Sequence, residues 1–174
     1  MKTLLDGKQL NEAIEGIVRQ IKSDIPADTD IAVIGIRSRG EILAKRLVKA
    51  LSSYFTGQIL NGTLDITLYR DDLNEPKEVQ PTVRSTEINF DITDKLILLA
   101  DDVLHTGRSV RAAMDALTDL GRPRMVRLAV LVDRGHHEYP ICADYTGLKT
   151  DVQEPQVVRV HFTETDNEDR VIIE

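Results

Sequence analysis

Five consecutive apolar residues, Leu96-Ile97-Leu98-Leu99-Ala100, run directly into two adjacent carboxylates, Asp101 and Asp102. An apolar run this short reads as a strand buried on both faces. A turn of small residues follows, Thr106-Gly107-Arg108-Ser109. Beyond it Val110, Ala113, Met114, Leu117 and Leu120 fall on one face at helical spacing, and Gly121 and Pro123 supply a stop. The order is strand, acid pair, small turn, helix N-terminus.

That order has specific chemistry. The first N–H groups of a helix lack partners and carry partial positive charge, which suits a phosphate. Gly107 allows close backbone approach, and the hydroxyls of Thr106 and Ser109 add donors. Asp101 and Asp102 would repel the same phosphate, so they suit neutral hydroxyls or a divalent cation beside it. A sugar phosphate meets both requirements. An isolated acid pair would be a solvated strand end; the complete run in register favours a ligand site. The chain has neither G-x-x-x-x-G-K-[ST] nor G-x-G-x-x-G, so P-loop and dinucleotide fingerprints are excluded.

The rest of the chain alternates strands and helices. Leu10, Ile14, Ile17, Val18 and Ile21 mark a first amphipathic helix, closed before Pro26. Ile31–Ile36 reads as a buried strand, followed by Arg37-Ser38-Arg39-Gly40 and a helix that packs Leu43, Leu47 and Leu51. This second strand–loop–helix offers anion donors with two arginines. Leu64, Ile66 and Leu68 predict a strand with one polar face, and 71–89 a long polar loop. Val126–Val132 predicts another apolar strand, ending in Asp133-Arg134-Gly135-His136-His137. Paired histidines without a third ligand at usable spacing argue against zinc. Val157–Phe162 and Val171–Ile173 are the last predicted strands.

The pattern predicts an α/β fold with a mainly parallel sheet flanked by helices, in one domain spanning 1–174. Ligands in such sheets sit beyond the carboxyl ends of the strands, which places 37–40, 101–109 and 133–137 on one rim. A net charge of -7 opposes diffuse binding to nucleic acid and leaves room only for a local basic patch. The single cysteine, Cys142, forbids an intrachain disulfide and suits a reducing compartment. No apolar stretch reaches membrane-spanning length, so a soluble cytoplasmic protein is expected.

The run Ile97–Ser109 resembles the phosphoribosyl-diphosphate (PRPP) signature of type I phosphoribosyltransferases. By that resemblance Asp101 and Asp102 face the ribose hydroxyls and hold Mg²⁺, largely through ribose, diphosphate and water. Val103, Leu104 and His105 belong to the PRPP and UMP site, and Thr106, Gly107, Arg108 and Ser109 cradle the 5′-phosphate. Ser38, Arg39 and Gly40, with Arg84 from a lid-like 71–89 loop, reach the diphosphate. The stretches 35–40, 64–72 and 128–136 further resemble the PyrR family, pyrimidine-operon attenuation regulators that also act as uracil phosphoribosyltransferases. The resemblance implies conversion of uracil and PRPP to UMP and diphosphate. It implies a hood from about 133 onward with Val132, Arg134 and Val158 near the base, and a homodimer or homotetramer. It also implies UMP- or UTP-responsive binding of leader messenger RNA, through Arg19, Arg37, His136, His137 and Lys149.

Two departures bear on these expectations. Ala100 and His105 stand where the family usually has valine and tyrosine. Glu15, Gly16 and Cys142 stand where RNA contacts are expected, so a phosphoribosyltransferase with weakened RNA binding, or one acting on another base, is the alternative.

Overall fold

The computed structural model describes residues 1–72 and 82–174. Its main sheet has five parallel strands: β2 (Ile31–Ile36), β3 (Ile59–Leu64), β4 (Leu96–Leu104), β5 (Met125–Asp133) and β6 (Tyr145–Lys149). They lie in the order β3-β2-β4-β5-β6, so the acid-bearing strand is central. Helices α1 (Gly7–Asp24) and α2 (Arg39–Leu51) share a core with Val33, Leu98, Ala100 and Leu131. Helix α3 (Arg108–Leu120) shares a second core with Ala32, Ile34, Ile97, Leu99 and Val130. Successive β4 side chains thus alternate between two dry layers, which is why the run has no polar phase.

A second, antiparallel sheet has the order β1-β8-β7, from β1 (Lys2–Leu5), β7 (Val158–His161) and β8 (Arg170–Ile173). Leu5, Val158, Val160, Phe162 and Val171 fasten it to the α1–α2 core. A short helical turn, α4 (Thr163–Asp166), joins β7 to β8.

Several expectations change. The strand expected over Leu64–Leu68 lies upstream, at β3. Asp65 accepts hydrogen bonds from Thr67 N (3.2 Å) and Thr67 Oγ1 (2.7 Å), folding the chain into a 3-10 turn at Thr67–Tyr69. Leu68 is accordingly 67% exposed. Strand β4 continues past Ala100 and carries Asp101 and Asp102 within it. Strands β1 and β6 are additions, and β6 places part of the stretch after Asp133 in the main sheet. Helix α1 begins three residues before its apolar stripe through a reciprocal cap: Asp6 accepts from Gln9 N (2.8 Å) and Gln9 Oε1 from Asp6 N (3.0 Å). The predicted loop over 71–89 is described only at its ends, where Glu87 bridges antiparallel to Thr63; residues 73–81 lie outside the described ones.

The buried face of α3 is also rotated from expectation. Ala112, Ala113, Ala116, Val110 and Leu117 face the sheet, whereas Met114 and Leu120 are exposed. Three alanines, with Val110 and Leu117, make up the face that α3 turns to the second core. Leu117→Ala should therefore cost about 2–5 kcal/mol, whereas Met114→Ala should stay within roughly 0.5 kcal/mol. Urea unfolding of both variants checks the pair, and equal losses would contradict this packing.

Candidate functional site

The carboxyl ends of β2 and β4, with the loops that follow them, surround a cleft of about 290 Å³. It is lined by Arg37, Ser38, Arg39, Asp65, Thr67, Arg70, Asp101, Asp102 and Ser109. Close approach of α2 to β4 makes this wall. A Cβ on Gly40 would stand 2.5 Å from Ala100 O and 3.1 Å from Asp101 Cα, so only glycine fits where α2 begins. The Arg37–Ser38 peptide preceding it is cis.

Asp101 is only 8% exposed and accepts from Asp102 N at 2.9 Å. Burial, then the neighbouring Asp102 charge, push the Asp101 carboxyl well above the usual range. Asp102 is pushed up by burial as well, while the Arg39 charge pulls it back. Both carboxyls are thus held above the usual range, and a cation or hydroxyl-bearing partner would offset the cost of their charge.

Beside the acid pair lies the turn into α3. Gly107 caps the helix with φ +90°, a conformation that favours glycine, and Thr106 Oγ1 accepts from Arg108 N at 3.3 Å. A wider cleft of about 730 Å³ opens here, lined by Arg70, Asp71, Asp72, Thr106, Arg108, Ser109 and Glu138. Ser109 and Arg70 border both clefts. The guanidinium of Arg108 is engaged elsewhere: it contacts Asp71 and Glu138, each at 2.6 Å, and lies 5.2 Å from the Tyr139 ring centroid. What Arg108 presents to the turn is its backbone.

The other predicted residues divide sharply. Arg39 lines the acid cleft and pairs with Asp166 at 3.0 Å. Arg37, expected on an RNA face, is folded against the cleft, 15% exposed, between Glu41 and Glu87 at 3.2 Å each and Ser85 O at 2.9 Å. Arg84 is exposed and donates its backbone N–H to Asp65 at 2.7 Å. Val132 has no exposed surface and Val158 only 7%, because both side chains belong to the α1–α2 core; neither is open to a ligand. Arg134 is 4% exposed, donates from Nη2 to Val152 O at 2.8 Å, and keeps a buried Nε without a partner among the described residues. His105 Nε2 lies 3.8 Å from Glu154 Oε1, and burial and then the Arg134 charge hold its imidazole below the usual histidine range.

The proposed RNA residues are each near an acid, Lys149 excepted. Arg19 sits 4.0 Å from Glu15, His136 2.7 Å from Asp151 and His137 2.8 Å from Asp133. Arg19 and Lys149 lie on adjacent elements, since Gln20 of α1 clasps β6 through Thr146 O (2.9 Å) and Thr146 N (3.1 Å). Asp65, Arg70 and Asp166 are cleft or supporting residues that the sequence reading missed. The Asp65-x-Thr67 spacing is a side-chain turn signal that could have found the first; Asp166 carries no comparable signal.

Comparisons with known proteins agree with this geometry. Residues 1–164 match the family described as the phosphoribosyl transferase domain. Bifunctional protein PyrR of Alkaliphilus metalliredigens is 48% identical over 98% of this chain and 93% of its own length. That of Elusimicrobium minutum is 44% identical over 99% and 96%. Among solved structures, the hypoxanthine phosphoribosyltransferase of Trypanosoma cruzi superposes with a TM-score of 0.71, at 16% identity, covering 99% of this chain and 95% of that one. The chain belongs to the phosphoribosyl transferase domain family and, within it, to the PyrR proteins.

Proposed function

We propose that the protein transfers the phosphoribosyl group of PRPP to uracil, giving UMP and diphosphate, and that it binds pyrimidine-operon leader RNA in response to UMP or UTP. The observation that carries the first activity is the cleft in which a buried acid pair faces the Arg37–Arg39 loop, with the α3 turn alongside. The bifunctional naming of its relatives supports the second.

In this reading the bond from the anomeric carbon to diphosphate breaks as the bond to uracil nitrogen forms, through an oxocarbenium-like state, and the proton of that nitrogen leaves to the departing diphosphate or to solvent. Asp101 and Asp102 hold the ribose hydroxyls and offset charge on the ring. Arg39 meets the negative charge growing on diphosphate, and the N–H groups and hydroxyls at 106–109 hold the 5′-phosphate. The donor set fits Mg²⁺: the carboxylate of Asp101 is buried and in no ion pair among the described residues, and this ion takes one or two carboxylates plus substrate oxygens. When bound there, it supplies positive charge to the diphosphate. Arg134, just past the carboxyl end of β5, is the residue set nearest the base in this reading. The chain from about residue 133 onward acts as the hood. A cytoplasmic homodimer or homotetramer completes the proposal. Turnover of isotope-labelled uracil, run beside a salt-titrated gel shift with the cognate leader RNA, tests both activities.

Asp102→Asn removes a charge without changing shape, so transfer should fall by at least about 10²-fold while circular dichroism remains that of the wild type. Near-normal turnover would move the ribose site elsewhere. Ser109→Ala should weaken PRPP binding by about 1 kcal/mol, roughly fivefold, as read by isothermal calorimetry.

For RNA, Glu15→Thr removes a carboxylate and frees Arg19, 4.0 Å away. Affinity should rise, and the slope of log K against log salt should steepen by about 0.7–0.9 for the one additional phosphate contact, with uracil transfer unchanged. A salt series of gel shifts checks this, and an unaltered slope would place the RNA face away from α1.

A further inference from the structure

Arg46, on α2, grips the turn between β7 and β8. Its Nη2 bonds Glu164 at 2.6 Å and Asp169 at 2.8 Å, its Nη1 bonds Asp169 at 2.9 Å, and its guanidinium lies 4.8 Å from the Phe162 ring centroid. Asp169 also accepts from Thr163 N at 2.8 Å and Thr163 Oγ1 at 2.9 Å. The turn is therefore fastened to the same helix whose first residue is Arg39.

From this fixed turn Asp166 reaches back to the cleft. One carboxylate oxygen, Oδ2, accepts from Phe162 N (3.0 Å) and Thr165 Oγ1 (2.8 Å), which fixes the plane of the group. The other, Oδ1, accepts from Arg39 Nη2 at 3.0 Å. Arg39 retains further N–H groups, including a buried Nε with no partner among the described residues. Its charge is felt at Asp102.

We propose that Asp166 is a positioning residue: it holds Arg39 by one amino group, Nη2, so that the other, Nη1, faces the diphosphate of the substrate. The inference rests on the reading of the cleft as the PRPP site. A long arginine side chain loses rotamer freedom on binding an anion, and a fixed carboxylate behind it removes that loss beforehand. The opposite arrangement, a latch that Arg39 must leave, calls for a carboxylate on a movable segment. Asp166 instead stands on a turn clamped by two acids and a stacked ring.

The test measures kcat, KM for PRPP, KM for uracil, and calorimetric affinity for magnesium diphosphate in Asp166→Ala, Asp166→Asn, Arg39→Ala and the double variant. Wild-type binding of magnesium diphosphate establishes the cleft reading independently of turnover, and its absence would overturn that reading and the proposal together. With binding present, Asp166→Ala should raise KM for PRPP and weaken diphosphate by about tenfold, the scale of one charge-assisted hydrogen bond. KM for uracil should remain within about twofold of wild type on the same grounds. Asp166→Asn, which keeps an acceptor oxygen and the fold, should recover part of the loss. The double variant should be no worse than Arg39→Ala alone, because Asp166 acts through Arg39. Tighter PRPP binding in Asp166→Ala would identify a latch. Equal losses for uracil and PRPP, or additive losses in the double variant, would reduce Asp166 to a general structural role. Any of these three results overturns the proposal.

Discussion

Two carboxylates stand within the carboxyl-terminal half of a strand whose preceding residues are buried, and the surrounding structure answers their burial. An isolated charge in such a place is costly, so the group stays neutral or finds compensation. Here compensation comes in graded form. Asp101, the more buried, is pushed furthest toward its neutral form. Asp102 lies closer to the cleft and feels the Arg39 guanidinium. Among the described residues neither is in an ion pair, so the pair suits a ligand that brings hydroxyls and positive charge with it.

The loops around that pair are held by packing more than by propensity. Helix α2 begins where it does because Gly40 leaves no Cβ between it and β4. The turn into α3 is shaped by Gly107 at positive φ, and a Cβ there would also meet Tyr139 Cβ at 3.2 Å. Arg108 ties this turn to Asp71 on one side and Glu138 on the other. The second sheet is joined to α2 by Arg46 and Arg39 together, so the wall that carries the basic loop is braced from behind.

Much of this was legible in the order of residues. The strand–acid–turn–helix run from Leu96 to Leu120 and the Ile31–Leu51 unit have local signals that agree with their tertiary roles, so period and turn chemistry locate them. The shorter elements lack such agreement. Lys2–Leu5 and Tyr145–Lys149 are too short to show a period, and partner strands distant in sequence define them. Leu64, Ile66 and Leu68 alternate as a strand would, yet the Asp65–Thr67 contact overrides the pattern. The resemblance sets Val132 and Val158 near a base, whereas the burial of both side chains in the α1–α2 core is a property of the packed fold. Asp166 is invisible for a related reason: its partner is 127 residues away.

The clasp of Gln20 on both sides of the Thr146 peptide has a consequence for how such a protein can diverge. It sets the rotation of α1 from the inward side, together with Ile14, Ile17 and Ile21. Glu15 and Arg19 lie on the exposed outer face, where a change of charge leaves those inward contacts in place. A lineage can gain or lose an electrostatic partner on that face while the cleft at the ends of β2 and β4 stays under separate selection.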